Sequence, residues 1–98
     1  MWWSTDLTNK DDWRITDYHT KHLSGIVLHW RPYRQRSATW DHDHCEFCWA
    51  DFALATLLPD ALHAGYTTED EYRWICEACF NDFRDRFRWH VATPKAAL

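Results

Sequence analysis

All four cysteines of the chain fall in two short segments, Cys45-Glu-Phe-Cys48 and Cys76-Glu-Ala-Cys79. Two residues between cysteines let a tight turn, or the first turn of a helix, aim both sulfurs at one point. Zn²⁺ takes four such ligands tetrahedrally. The 27 residues between the pairs leave room for one helix and one strand to bring the second pair back to the first. The spacing predicts one structural zinc ion held by Cys45, Cys48, Cys76 and Cys79. An iron centre of the rubredoxin kind normally has Gly just after the second cysteine of each pair, where this chain has Trp49 and Phe80. A redox dithiol would not require a matching second copy.

A chain of 98 residues forms one domain with a small core, for which such a staple matters. Its second resource is aromatic: eight Trp, four Tyr and five Phe. Each large ring buries roughly 150–250 Å², so few residues cover much core. A small domain cannot enclose eight indoles, and surplus rings at a surface suggest a protein interface. The net charge is −4; four thiolates would subtract four charges and Zn²⁺ would return two, leaving −6. That balance argues against general nucleic-acid binding and suits solubility or a basic partner. The N-terminal stretch has no basic segment leading into an apolar run, and no stretch approaches the ~18 apolar residues of a membrane span. A cytoplasmic location with reduced cysteines is the expectation.

Along the chain, residues 1–11 read as a loosely held arm. Thr16 caps a helix over 16–23 that Gly25 stops. Residues 26–31, rich in β-formers, read as a strand that Pro32 ends. A basic loop follows, and the alternation over 38–44 (ATWDHDH) predicts a second strand antiparallel to the first. From Cys45 the spacing of Cys48, Trp49, Phe52 and Thr56 or Leu57 predicts a helix that Pro59 closes. Residues 59–65 connect, 72–75 form a short strand, and Cys76, Cys79, Phe80, Phe83 and Phe87 mark a second helical stripe. Thr93-Pro94 ends that helix, and 94–98 read as a frayed tail. The segments CEFCWADF and CEACFNDF match in five of eight positions, 31 residues apart. They predict two similar strand–CxxC–helix units meeting at one metal with pseudo-twofold geometry. The expected class is α+β, one domain over 1–98: an antiparallel sheet of about three strands with two or three short helices around the zinc centre.

Other polar groups are weighed against this centre. Asp41, His42, His44 and His63 suggest a metal-dependent enzyme, but four cysteines would close the shell and leave no position for substrate or water. His42 and His44 then read as strand residues or as groups supporting the thiolates. Glu46, Glu77, Asp51 and Asp82 read as carboxylates complementing helix N-termini. With two Gly the chain lacks a phosphate-cradling loop, and no Ser-His-Asp pattern is present. Arg31, Arg34 and Arg36, with Trp30 and Tyr33, form the one basic loop that charge and stacking would suit to nucleic acid.

The stretches WDHDHCEFCWADF (40–52) and GYTTEDEYRWICEACFNDF (65–83), with DWRIT (12–16), resemble a group of small bacterial zinc proteins carrying DHDHCEFCW and YxWICxxCFxDF signatures. The resemblance implies a bacterial stand-alone zinc protein and brings no activity with it. More loosely, a CxxC opening a final helix resembles treble-clef and zinc-ribbon domains. The expected function is non-enzymatic: a structural-zinc module that binds another protein, of the immunity-protein or toxin-inhibitor kind. The alternatives are a nucleic-acid-binding zinc ribbon using the 31–36 loop and a small metal-dependent enzyme using the 41–44 cluster.

Overall fold

Thr16 starts the first regular element of the computed structural model, which describes residues 12–95. Its hydroxyl accepts from the His19 N–H, and His19 Nδ1 accepts in return from the Thr16 N–H at 3.1 Å. This reciprocal box, with His in place of the usual Glu, satisfies two donors and opens α1 (Asp17–Leu23). Gly25, at φ +73°, turns the chain out of the helix and donates to the Phe87 carbonyl at 2.7 Å. The end of α1 is thereby tied to the end of the later helix. The predicted arm over 1–11 and the last residues, 96–98, lie outside the described residues.

The remaining elements are β1 (Val27–Pro32), β2 (His42–His44), β3 (Asp51–Ala53), β4 (Ala64–Thr67), β5 (Trp74–Ile75), α2 (Glu77–Phe87) and β6 (His90–Thr93). They form a mixed sheet in the order β5-β4-β1-β6 and a separate ribbon, β2-β3. β1 runs antiparallel to β4, with Trp30 opposite Tyr66, and parallel to β6, with Val27 opposite His90. The class is α+β as expected, with two helices among the described residues, but the main sheet is mixed and four-stranded rather than antiparallel and about three-stranded, because β6 joins β1 in parallel.

Three further expectations are corrected. The second strand is shorter than 38–44 and pairs not with β1 but with β3, His42 opposite Ala53 and His44 opposite Asp51. No helix follows Cys45. The Trp49 N–H reaches the Cys45 carbonyl for a single turn, Trp49 then enters the left-handed region at φ +70°, and the Cys45 N–H closes on the Ala50 carbonyl. The chain is thrown back as β3. The two cysteine segments are therefore unlike: a ribbon turn and a helix start, without pseudo-twofold symmetry. Finally, α2 stops at Phe87, well before Pro94. Arg88 adopts φ +54°, the Trp89 N–H reaches back to the Arg84 carbonyl, and His90–Thr93, which include β-branched Val91 and Thr93, become a strand.

The core is aromatic and centres on Phe47, which lies inside the first CxxC turn. Its ring sits 4.4–5.7 Å from the rings of His19, Phe83, Phe87 and Trp89. Phe80 stacks on Tyr66 at 3.7 Å, while Trp74 packs between Tyr33 and Phe52. Trp89 also donates its indole N–H to the Leu23 carbonyl at 2.7 Å, satisfying one of the orphan acceptors at the end of α1. Trp74 and Trp89 are buried, whereas Trp13, Trp40 and Trp49 are exposed.

Candidate metal centre

The ribbon delivers the first pair. Cys45 directly follows β2, and its turn is fixed against β5: Cys45 bridges Trp74, and the Glu46 N–H donates to the Trp74 carbonyl at 2.9 Å. Two residues after Trp74 comes Cys76, the N-cap of α2, whose sulfur accepts from the Cys79 N–H at 3.4 Å. Short β5 therefore positions both pairs at once.

The four sulfurs lie within 4.8 Å of one another, and Cys48 Sγ is 3.7 Å from Cys76 Sγ. A tetrahedral shell with metal–sulfur bonds near ~2.3 Å has edges of about 3.8 Å, so the spacing fits one ion among four thiolates. It is far longer than the ~2.05 Å of a disulfide. Cys45, Cys76 and Cys79 are buried and Cys48 is half-buried. Among the described residues this is the one group of three or more Cys, His, Asp or Glu gathered closely enough to hold an ion.

The surroundings suit anionic sulfur. Backbone N–H groups of Phe47 and Cys76 both point at Cys45 Sγ at 3.4 Å, and Arg14 Nη1 lies 3.6 Å from Cys79 Sγ. The thiols of Cys76 and Cys79 donate to Cys45 and hold it well below the ordinary thiol range. Cys76, giving its proton to that contact, is pushed up to about 11, and Cys79 rises for the same reason. One thiolate is thus stabilised by its neighbours' S–H groups, and only a cation in their midst can hold four.

Arg14 is the part that sequence reading missed. It forks onto Asp12 at 2.7 Å, reaches Asp82 at 3.0 Å and lies over the Phe83 ring. No spacing rule links residue 14 to residue 79; the likeness over DWRIT was the available hint.

The other candidates disperse. His42 and His44 are exposed strand residues: His42 Nδ1 lies 2.6 Å from Asp41, and His44 Nε2 lies 3.0 Å from Asp51. The hydrogen bonds to the sulfurs come from backbone and Arg14 rather than from either imidazole. His63 sits apart, with its nitrogens against the carbonyls of Ala53 and Pro59. Glu77 does occupy the first turn of α2. Glu46 lies instead in the ribbon turn against Arg73, Asp51 is on β3, and Asp82 faces Arg14 from within the helix. In the basic loop, Arg31 and Arg34 are both bound by Glu71, and Arg36 lies over Trp40 and Tyr72. Among the described residues no helix is long and apolar enough to cross a membrane.

No protein family, curated protein or solved structure matches the chain, and what stands of the resemblance read from its signatures is the four-cysteine cluster itself.

Proposed function

We propose that the chain is a structural-zinc domain whose role is to bind another protein. The carrying observation is convergence: four sulfurs from two dissimilar elements meet within 4.8 Å and need no fifth partner. An all-thiolate set favours zinc over oxygen-seeking cations. A shell closed by protein ligands favours a structural over a catalytic ion. The order of ribbon turn, β4–β5 hairpin and cysteine-capped helix favours the treble-clef likeness over the zinc ribbon, whose pairs both sit on hairpin turns. The exposed indoles of Trp13, Trp40 and Trp49 and a charge of −4 favour a basic protein partner, of which an immunity or toxin-inhibitor role is the specific form. The carboxylates holding Arg31 and Arg34 weigh against nucleic acid.

Two measurements test this reading. Native protein should contain one zinc per chain and lose its circular dichroism on chelation; metal-free folded protein would remove the structural role. A tagged chain should retain one protein in fixed ratio, and retention of mixed nucleic acid instead would overturn the binding role.

A further inference from the structure

Trp49 is an anomaly. It follows the first cysteine turn at φ +70°, a conformation that Gly adopts freely and that strains a bulky residue, and the residue is 68% exposed. That φ turns the chain back into β3, a task Gly would perform without strain, while among the described residues the indole itself touches only the neighbouring His44 ring at 5.8 Å. It borders a cleft of about 200 Å³ lined by Trp40, Trp49 and Tyr72 together with Asp43, Glu46, His44 and the candidate metal ligand Cys45. Small-molecule sites run to roughly 300–1,000 Å³, so this one has the dimensions of a single side chain.

The chemistry of the cleft selects a cation. Indole and phenol faces attract positive charge. Asp43 is fixed by the Tyr33 hydroxyl at 2.7 Å and the Trp40 indole N–H at 3.0 Å. Both donors are neutral and bring no positive charge to the cleft. Two of these rings already carry the protein's own guanidiniums: Arg36 and Arg73 lie 4.6 and 5.6 Å from the Tyr72 ring, and Arg36 lies 5.5 Å from Trp40. Arg73 also pairs with Glu46, which leaves Asp43 as the carboxylate for an incoming cation. Neither arginine lines the cleft, which remains open. A planar guanidinium can stack on a ring and fork onto a carboxylate together, which an ammonium cannot.

We propose that the cleft bounded by Trp40, Trp49 and Tyr72, with Asp43 among its lining residues, receives an arginine side chain of a basic protein partner. This rests on the protein-binding reading and names the group that the site recognises.

The test uses the zinc-loaded full chain at low salt and follows the indole N–H resonances of Trp40 and Trp49. The probes are the acetylated, amidated peptide Gly-Arg-Gly and its lysine and citrulline counterparts. The arginine peptide should shift both resonances saturably, and citrulline, which keeps the shape without the charge, should bind at least about tenfold more weakly. Asp43→Asn retains an acceptor for Tyr33 and Trp40 and should lose about tenfold. Trp49→Gly should bind at least about fivefold more weakly without any fall in melting temperature. Absence of a saturable shift, equal binding of citrulline or lysine, or unchanged binding by both variants would overturn the proposal. Capture of the same partner by Trp49→Gly as by the native chain would overturn it too while sparing the protein-binding reading. Arginine-peptide binding by a chain that retains no protein would instead remove that wider reading.

Discussion

The guanidinium of Arg14 lies 3.6 Å from the sulfur of Cys79, 65 positions further along the chain. It joins the segment before α1 to the four-cysteine cluster and brings a positive charge to sulfurs that a bound metal would hold as thiolates. Asp12 and Asp82 hold it in place, and the Phe83 ring covers one face. Replacement by Met should therefore lower the stability of the zinc-loaded protein by about 1–2 kcal/mol, given that Asp82 is half in solvent. Lys should recover less than half of this, since it cannot fork. Denaturant titrations of the three proteins, with zinc content verified, would check both steps.

Removal of the metal is expected to be far more severe. Structural zinc contributes on the order of 10–16 kcal/mol of apparent folding free energy, comparable with the ~5–15 kcal/mol by which whole domains are stable. A strong chelator should abolish the near-ultraviolet circular dichroism of the buried rings, and stoichiometric zinc should restore it. Signal that survives chelation would show that the aromatic core stands alone.

Acid should act partly through His19. Burial against Phe47 lowers its pKa, and only the neutral ring can accept the Thr16 N–H. Below the ordinary value of about 6.5 the unfolded chain binds a proton that the folded chain resists, so this contribution is present above that pH and is lost as pH falls towards the lowered value. The slope is at most about 1.4 kcal/mol per pH unit. Gln can preserve the capping box without titrating. His19→Gln should therefore lose less stability than the native protein between about pH 6.5 and 5.5, read as the difference in denaturation midpoints.

The two glycines should answer differently to alanine. At Gly65 a Cβ would stand 2.6 Å from Phe52 Cε1 and 3.1 Å from the Ile75 carbonyl, so a buried ring must move. A loss of about 1–3 kcal/mol is expected. At Gly25 nothing lies within 4 Å of the added carbon, and the penalty is the conformational strain of φ +73°, about 1 kcal/mol. Melting temperatures would rank the pair.

Trp49→Gly reverses the sign. Releasing the left-handed strain at an exposed position should leave stability unchanged or raise it by up to about 1 kcal/mol. A fall in melting temperature would mean that the contact with His44 matters to the ribbon.

Local signals explain what could be read in advance. Thr16 and Gly25 bracket α1 because a cap and a left-handed stop act on their own neighbours, and the second cysteine pair reads as a helix start because Phe80, Phe83 and Phe87 continue its stripe. The first pair misleads for a physical reason. Cys48, Trp49 and Phe52 have helical spacing, yet one sulfur is aimed at the other cysteines, the indole faces solvent and Phe52 enters the core. Three different demands produced one periodicity. The partner of β1 was equally hidden, because β4 and β6 reach it through contacts that no short window contains.

The parallel pairing of β1 with β6 has a consequence for the order of events on a growing chain. Synthesis delivers the N-terminal part first, and Cys79 precedes His90, so all four sulfurs are present before the strand that completes the sheet. At that moment β1 has β4 beside it and an open edge on its other side. A chain that captures its ion early already has ribbon, hairpin and helix joined, and β6 has only to add along a prepared edge. Without the ion, the same loop between β1 and β6 must close across more than fifty residues unaided, the slow and aggregation-exposed route. On the structural-zinc reading, the supply of zinc during synthesis should thus govern how much of this protein reaches its native state.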